Sequence, residues 1–322
     1  MKCLVTGATG FIGREVCEQL GRLDYELIPL SRYGGQLVNG TSSVAVDLST
    51  TPVDSAILSG VDVVFHLAGI AHTQAAELAY SAVNHQATIT LAAAAEAAGV
   101  RRFVFLSSVK AMGAAEDAQA RCETGCVEPL DPYGRSKILA ENALRDSYRD
   151  SAMSVVILRP PLVYGPEARG NLGMLSRAVS RGLPRPPSGG FRSMIGRADL
   201  AAVLIECGTI SLAGVHTWIV TDGESYSLQR SFDALAAAGG RAPVRAWLPA
   251  WCWRLAARAY DVARGFNGNA SATDSTLHKL FGEECYDSSA ILAATDWRPR
   301  QTLEEVMSRV SSPSVESAEL SQ

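Results

Sequence analysis

Short apolar runs alternate with longer amphipathic segments through the first half of the chain. The apolar runs predict strands at residues 2–7, 26–31, 43–47, 61–67, 102–107 and 153–159. The longer segments predict helices at residues 12–23, 75–98 and 133–149. Because strands joined by helical crossovers run parallel, this order predicts an α/β fold with a doubly wound parallel sheet. Its ligand crevice is expected at the carboxyl ends of the strands.

The pattern changes after Pro160, where prolines and glycines interrupt the regular alternation. Shorter elements follow, with strands predicted at residues 193–195 and 216–220 and helices at residues 172–181, 228–238 and 249–265. We therefore expect a nucleotide-binding domain over residues 1–165, which also takes in later strands, and a substrate-binding lobe over residues 166–310. The serine- and glutamate-rich residues 311–322 are expected to form a flexible tail.

The predicted helix at residues 249–265 carries Trp251, Trp253 and Tyr260 among interleaved arginines. Aromatic and basic residues on one helix fit a membrane-surface anchor. They also fit a lobe helix that packs its tryptophans inward or covers a hydrophobic opening. A lobe helix in one of these two arrangements is the expectation here.

The composition narrows the class of protein without identifying it. The 322 residues are 47% hydrophobic and 19% charged, with a formal net charge of −4, which suits a globular enzyme and gives no reason to expect a nucleic-acid partner. Seven scattered cysteines do not resemble a disulfide framework, and Cys122 and Cys126 lack the further ligands of a zinc site, so no metal is expected. Because the first strand begins at Lys2 and no apolar run approaches a bilayer span, we expect a cytoplasmic protein without an integral membrane segment.

Three glycines mark the turn after the first predicted strand. Gly7, Gly10 and Gly13 form a G-x-x-G-x-x-G pattern with a strand before it and a helix after it. Glycine allows positive φ and close approach of another backbone, and the start of the following helix attracts an anion. The context predicts a site for the pyrophosphate of a dinucleotide.

A second group of candidates lies at the end of the fifth predicted strand and on the helix that follows. Tyr133 and Lys137 are four residues apart and so share one helix face, where an ammonium group is expected to lower the pKa of the phenol. Ser107 and Ser108 end the strand at the edge where ligands collect. Together these groups predict proton transfer to or from an alcohol oxygen, with a hydroxyl steadying the same oxygen.

These features resemble the extended short-chain dehydrogenase/reductases of the NAD-dependent epimerase/dehydratase family. The matching motifs span about residues 2–310: TGATGFIG at 6–13, HLAG at 66–69, SSVKAMG at 107–113, YGRSK at 133–137 and RPPLVYGP at 159–166. The resemblance implies a Rossmann-like doubly wound parallel sheet, a smaller mixed α/β C-terminal lobe and a terminal helix at 302–310.

The resemblance also implies roles for individual residues. Ser108, Tyr133 and Lys137 match the catalytic positions, Ser108 being chosen over Ser107 because it precedes Gly113 by five residues. Asn84 matches a polar position that is equally well explained as a buried helix amide. The implied cofactor-binding residues are Gly7, Gly10, Phe11, Ile12, Gly13, Arg32, Asp47, Leu48, Leu67, Ala68, Gly69, Tyr133, Lys137, Pro160, Leu162 and Val163. The implied substrate-binding residues are Ser108, Lys110, Tyr133, Asn171 and Arg192.

The cofactor is expected to be NAD(P)H, with a preference for NADP(H). Folds that select NAD place an acidic residue after the second strand to bind the ribose hydroxyl. Here that strand ends with Arg32 and no acid. An arginine there can pair with a 2′-phosphate, and the alternative is a solvated arginine at the strand end.

Within the resembled family, the reaction expected here is reduction of a 4-keto nucleotide sugar. Dehydratases carry an Asp-Glu pair after the catalytic hydroxyl residue, and this chain has Val109 and Lys110 there. Local motifs resemble reductases that act on UDP-2-acetamido-2,6-dideoxy-4-hexulose in O-antigen synthesis. The alternative is a UDP-sugar 4-epimerase that holds NAD tightly.

The resemblance further implies a homodimer formed through the helical segments at residues 75–98 and 133–149. A non-enzymatic class, redox sensors or scaffolds that keep only the cofactor site, is disfavoured because the serine, tyrosine and lysine are all present.

Overall fold

The computed structural model describes residues 1–38, 40–71, 76–114, 119–168, 170–241, 248–263 and 276–311. Within these ranges the strands are β1 (Lys2–Thr6), β2 (Glu26–Ser31), β3 (Gly35–Gln36), β4 (Ser42–Ala45), β5 (Val63–His66), β6 (Arg102–Leu106), β7 (Ser154–Arg159), β8 (Leu162–Tyr164), β9 (Arg192–Gly196), β10 (Val215–Ile219) and β11 (Ser225–Tyr226).

The α-helices of the same ranges are α1 (Phe11–Arg22), α2 (Ser55–Leu58), α3 (Glu77–Tyr80), α4 (Ala87–Ala97), α5 (Pro132–Tyr148), α6 (Gly170–Ser180), α7 (Arg197–Thr209), α8 (Leu228–Ala238), α9 (Ala250–Ala263), α10 (Thr276–Phe281), α11 (Ser289–Ala294) and α12 (Leu303–Ser311). A π-helical segment (Ser81–Gln86) joins α3 to α4, and a 3-10 turn (Val109–Met112) follows β6. The predicted helix at 75–98 is therefore three consecutive segments, and its first residue lies outside the described ranges.

Eight strands form one sheet in the order β10-β7-β6-β5-β1-β2-β4-β3. Every neighbouring pair is parallel except β3 and β4. The chain leaves β1 for β2 on one side and later places β5 on the other. This reversal of strand order opens a crevice above the carboxyl ends of β1 and β5. The doubly wound parallel sheet predicted from the sequence is confirmed.

Helices cover both faces of this sheet, and alternate residues of each strand point into the hydrophobic cores on the two faces. Along β1, Cys3 and Val5 join the core under α1 and α7, whereas Leu4 joins the core under α4 and α5. This alternation follows from the two-residue period of a strand. It places α1 and α5, which carry the candidate site residues, on opposite faces of the sheet.

Helix α7 was not predicted from the sequence. Its buried residues include Leu200, Leu204 and Gly208, and a Cβ at Gly208 would lie 2.6 Å from Phe65 Cζ. The helix is apolar around most of its circumference, so it shows no polar stripe and its periodicity is hidden.

The smaller lobe contains a three-stranded sheet in the order β11-β9-β8 together with α6, α8 and α12. Its core includes the rings of Tyr164 and Tyr226, whose hydroxyl groups both donate to Asp222 Oδ2 at 2.8 and 2.7 Å. The strand β10, which comes after β9 in the chain, returns to the large sheet. The two sheets are thus interleaved along the sequence.

The tryptophans of α9 do not share one environment. Trp253 is buried, as expected from inward packing, but Trp251 and Tyr260 are exposed. Residues 264 and 265 of the predicted helix lie outside the described ranges. No helix in the described part of the chain is long and apolar enough to span a bilayer.

Candidate functional site

The three glycines form a tight turn in which backbone packs directly on backbone. Gly7 has a φ of +68°, and a Cβ at this position would lie 2.9 Å from the amide nitrogen of Ala68. A Cβ at Gly13 would lie 2.1 Å from the carbonyl oxygen of Gly7, and the Gly10 N–H donates to that oxygen at 2.9 Å. Only glycine fits at positions 7 and 13.

The turn leads into α1 without a side-chain cap. Gly10 is the N-cap residue, and no side chain accepts from the first N–H groups of the helix. Free N–H groups at a helix N-terminus bind anions. The bare glycine surface and these donors fit the pyrophosphate of a dinucleotide. Of the two neighbouring candidates, Ile12 packs on the core and Phe11 lies under the Arg197 guanidinium, 5.1 Å from ring centroid to Cζ.

The loop after β5 is held against the glycine turn by a buried hydrogen-bonded chain. The Ala68 N–H donates to Thr6 Oγ1 at 3.1 Å, and Thr6 Oγ1 lies 2.8 Å from His66 Nδ1. His66 Nε2 lies 2.9 Å from Thr88 Oγ1, which itself donates to the Asn84 carbonyl. Since the Thr88 proton is committed to that carbonyl, His66 must donate from Nε2 and accept from Thr6 at Nδ1. Burial lowers the pKa of His66 to about 3, and the nearby Lys137 adds to the effect, so the ring stays neutral.

Asn84 fastens the same loop to α5. Its Oδ1 accepts from the Ile70 N–H at 2.8 Å, and its Nδ2 donates to the Ile70 carbonyl at 3.1 Å and to Ser136 Oγ at 3.0 Å. Asn84 is fully buried and all of these contacts are internal. They favour a structural role for this amide.

Lys137 lies beside the loop that Asn84 holds. Its Nζ donates to the Leu106 carbonyl at 2.9 Å, is 4.6 Å from the centroid of the Phe105 ring, and would be 3.4 Å from a Cβ at Gly69. Burial lowers the pKa of Lys137 to about 8, and the charge of Glu141 opposes that shift. The cofactor loop and the lysine are thus adjacent, as the implied ribose contact requires.

Tyr133 begins the same helix and faces the end of β6. A hydrogen bond with the Ser108 side chain lowers the pKa of Tyr133, but burial outweighs it, and the pKa is raised to about 12. Asp131 and Tyr80 add to the increase. The sequence predicted a pKa lowered by Lys137, and the structure differs because burial of the phenol outweighs the interactions that favour its ionised form.

The two serines at the end of β6 have different surroundings. Ser107 is buried, and its hydroxyl donates to Glu141 Oε1. Ser108 is half-buried, and its Oγ accepts from the Lys110 N–H at 3.2 Å as well as bonding to Tyr133. Because the Ser107 proton is committed inside the fold, the geometry favours Ser108 as the reactive serine.

Arg32 and Asp47 come together at the edge where the cofactor adenosine is expected. Their atoms Nε and Oδ2 are 3.8 Å apart, and both side chains are about two-fifths exposed, at 43% and 38%. Hydrogen bonds from Ser49 lower the pKa of Asp47, with a smaller contribution from Arg32. Leu48 instead packs on the core under α4 and α5. The sequence did not predict the Arg32–Asp47 pair, since its two members come from different strand ends.

The residues expected to contact the nicotinamide end of the cofactor lie just after β7 and in β8. The Pro160 carbonyl accepts from the Val109 N–H at 3.1 Å. Leu162 packs on the core of the smaller lobe, and both Val163 and Leu67 pack on the core under α1 and α7. These contacts fix the backbone at the rim of the crevice.

Three charged groups meet on the substrate side. Glu284 Oε1 accepts from Lys110 Nζ at 3.0 Å, and Glu284 Oε2 lies 3.6 Å from Arg192 Nη1. Lys110 and Arg192 are therefore brought together, whereas Asn171 lies exposed in the first turn of α6. Glu284 was missed because no motif surrounds it. In the part of the chain that the structure describes, no group of three or more His, Cys, Asp or Glu side chains could hold a metal ion.

The glycine turn, the serine and the tyrosine–lysine pair lie together where the strand order reverses, and this arrangement is typical of the short-chain dehydrogenase/reductase class. The profile of the NAD dependent epimerase/dehydratase family matches residues 3–187, and the chain belongs to this family.

Two relatives illustrate the similarity in sequence. The chain is 31% identical to the UDP-glucose 4-epimerase of Vibrio cholerae over 314 residues, which cover 94% of this chain and 92% of the relative. It is 29% identical to the N-acetyl-alpha-D-glucosaminyl-diphospho-ditrans,octacis-undecaprenol 4-epimerase of Escherichia coli O157:H7, over 56% of this chain and 54% of the relative.

Solved structures agree on the fold. MoeE5 in complex with UDP-glucose and NAD superposes with a TM-score of 0.74 at 26% identity, covering 97% of each chain. The UDP-glucuronic acid 4-epimerase of Bacillus cereus in complex with NAD gives a TM-score of 0.74 at 21% identity, covering 96% of each chain. The latter identity supports the fold alone. The family and these likenesses establish a nicotinamide-dependent sugar-nucleotide enzyme.

Proposed function

We propose that this protein reduces a 4-keto UDP-sugar with NAD(P)H, the substrate being of the UDP-2-acetamido-2,6-dideoxy-hexos-4-ulose type used in surface polysaccharide synthesis. The observation that carries the proposal is the hydrogen-bonded pair Ser108 and Tyr133 beside Lys137 and the glycine turn. A bound nicotinamide supplies the hydride in such a reaction.

The residues of this chain then have defined roles. Tyr133 donates its phenolic proton to the O4 atom as the ketone becomes an alcohol, and the Ser108 hydroxyl donates a hydrogen bond to the same oxygen. Lys137 binds the ribose beside Gly69 and holds a positive charge near the phenol. Lys110 and Arg192 bind the diphosphate, for which the planar guanidinium is well suited, and Asn171 contacts the nucleotide.

The protonation state of Tyr133 suits the reduction step, which an epimerase also carries out after its oxidation step. A phenol whose pKa is raised to about 12 is protonated at neutral pH and ready to donate to a ketone oxygen. Oxidation of a sugar alcohol, the first step of an epimerase, instead needs a phenolate to accept a proton. Val109 and Lys110, where dehydratases carry their acidic pair, argue against water elimination.

A second candidate is UDP-sugar 4-epimerase activity with NAD. It is favoured by the Vibrio cholerae relative, which bears that name and covers 94% of this chain. Both reactions use Ser108, Tyr133 and Lys137, so the residues alone do not separate them.

One experiment separates the two reactions. The purified protein is incubated with UDP-2-acetamido-2,6-dideoxy-hexos-4-ulose and NADPH or NADH, and separately with UDP-glucose, while nucleotide absorbance and sugar products are followed. A reductase consumes one reduced cofactor per sugar. Conversion of UDP-glucose to UDP-galactose without net cofactor consumption would reject the reductase in favour of the epimerase.

The cofactor preference is tested at Arg32, which we propose binds the 2′-phosphate of NADP(H). In Arg32→Ala, kcat/KM with NADPH is expected to fall about tenfold or more, since a charge-assisted contact contributes about 1.5–3 kcal/mol. The value with NADH should stay near that of the wild type. An equal loss with both cofactors would contradict this role.

A further inference from the structure

A buried ionic cluster lies behind the candidate site, and the roles proposed above make no use of it. Glu141, which is fully buried, lies one helical turn beyond Lys137 in α5. Arg159 Nε lies 3.0 and 3.2 Å from the two oxygens of Glu141, and Arg159 Nη2 donates at 2.6 Å. Arg145 and the Ser107 hydroxyl donate to the same carboxylate. Four donor groups thus satisfy a buried charge that would otherwise be costly.

Two of the three residues that bind Glu141 are next to a part of the site. Ser107 immediately precedes Ser108 at the end of β6, and Arg159 immediately precedes Pro160 at the end of β7. Glu141 itself shares α5 with Tyr133 and Lys137. One carboxylate therefore fastens the two strand ends to the helix that carries the proton donor.

We propose that Glu141 is a positioning residue that fixes Ser108 relative to Tyr133 and keeps Lys137 in its ammonium form. The inference rests on the proposed function for its first part, because only a catalysed proton transfer makes the Ser108–Tyr133 geometry matter. Its second part concerns the free protein and stands without an assigned substrate.

The electrostatic part follows from the groups that face Lys137. His66 from β5 and Tyr133 from its own helix are both neutral at pH 7. Burial alone disfavours the ammonium, and Glu141 supplies the negative charge that opposes burial. Arg145 and Arg159 are positively charged and pair directly with the same carboxylate.

The positioning part is tested by removing one hydroxyl. Ser107→Ala breaks the link between Glu141 and the strand end without adding volume, and kcat is expected to fall on the order of tenfold with KM unchanged, as small misplacements in a site do. The control is Ser154→Ala, which removes another buried hydroxyl, bonded to the Arg101 carbonyl at 3.2 Å, from the opposite end of β7. The assay uses UDP-2-acetamido-2,6-dideoxy-hexos-4-ulose with NADPH. A kcat for Ser107→Ala equal to that of Ser154→Ala would overturn the positioning role.

The electrostatic part is tested on the free protein by NMR. The chain has four lysines, at positions 2, 110, 137 and 279, so a sample labelled with ¹³Cε-lysine gives few signals, and Lys137→Arg assigns the one needed. In Glu141→Gln the titration midpoint of Lys137 should move down relative to the wild type. Arg145→Ala, which keeps the carboxylate, should not lower it. An unchanged midpoint in Glu141→Gln would overturn this part.

Glu141→Asp separates the two effects and covers the case in which Glu141→Gln does not fold. It retains the charge but withdraws it by one methylene, so Lys137 should titrate near its wild-type midpoint while kcat falls as in Ser107→Ala. A wild-type kcat in both Glu141→Asp and Ser107→Ala would refute the proposal. If the wild-type protein turns over neither UDP-sugar, the proposed function fails, and the Lys137 titration alone decides the inference about Glu141.

Discussion

At the scale of single residues, the site combines a lysine with a lowered pKa and a tyrosine with a raised pKa. Burial lowers the pKa of Lys137 to about 8 and raises that of Tyr133 to about 12. Both shifts have the same origin, because a buried environment disfavours the charged form of either group. The Tyr133 phenol is therefore uncharged at neutral pH, whereas Lys137 loses its charge as the pH rises through about 8.

Tyr133→Phe tests the proton donor. Removing the hydroxyl should lower kcat by about 10²- to 10⁴-fold, the usual contribution of a positioned acid, with cofactor affinity unchanged. Stopped-flow turnover and fluorescence titration of NADPH measure the two quantities. Tyr148→Phe, a buried tyrosine at the other end of α5, should leave both unchanged. Near-normal turnover of Tyr133→Phe would remove this residue from the mechanism.

The pH dependence of kcat/KM tests the lysine. Lys137 is charged below its pKa, so if the ammonium is required, kcat/KM should fall as the pH rises through about 8. Tyr133 remains protonated over this range and does not produce the decline. Lys110→Met should keep the decline at the same pH, whereas the residual activity of Lys137→Arg should lack it, since a guanidinium stays charged. A decline that persists in Lys137→Arg belongs to another group.

At the scale of elements, the proposed cofactor site is a contact between two loops. The glycine turn after β1 packs on the loop after β5 through Gly7 and Ala68, and the chain from Thr6 to Thr88 holds that loop in place. Asn84, in the π-helical segment, ties the same loop to α5. The site is thus assembled from backbone of three elements, with few side chains of its own.

Gly13→Ala tests this close packing. The new Cβ would meet backbone atoms that have no room to move, so we expect a loss of stability of about 1–3 kcal/mol, as in other overpacked sites, together with severely weakened cofactor binding. Gly239→Ala is the matched control, because the nearest atoms to its Cβ are 3.5 Å away. Urea unfolding and NADPH titration measure both effects. Wild-type cofactor affinity in Gly13→Ala would show that the turn does not pack as described.

At the scale of the whole molecule, one exposed face combines apolar side chains with the helix of the site. Leu139 of α5 is 49% exposed, and Leu78 of α3 and Leu130 just before α5 are exposed still further. Arg135 of α5 pairs with Glu77 of α3 at 3.1 Å, so these helices form one continuous surface. This surface includes part of the two helical segments that are expected, from the family resemblance, to form the interface of a homodimer.

Light scattering after size exclusion tests the homodimer. We expect twice the chain mass of 34.1 kDa for the wild type. Leu139→Arg should shift the protein to the monomer, since an unpaired charge at the centre of an interface is unfavourable. Leu23→Arg, equally exposed at 49% but at the end of α1 on the other face of the sheet, should remain dimeric. A monomeric wild type would reject the prediction.

The local parts of this protein could be predicted from its sequence. The glycine turn, the strands of the parallel sheet and the Tyr133–Lys137 spacing each depend on neighbours within a few residues. Helix α7 was missed because its apolar circumference carries no periodic signal. The expectation that Lys137 lowers the pKa of Tyr133 was wrong because spacing on a helix does not reveal how completely the folded chain buries the phenol.

By itself, then, the sequence determined the α/β class and the glycine turn, and it predicted the candidate reactive groups. The tertiary structure gave a physical reason for preferring Ser108, which the resemblance had implied, because the Ser107 hydroxyl is bound by Glu141, 34 positions away in the chain. It also decided that Asn84 braces a loop and that Glu284 joins Lys110 to Arg192. These contacts depend on the order of strands in the sheet, which brings distant segments to one edge, and no local pattern of residues encodes that proximity.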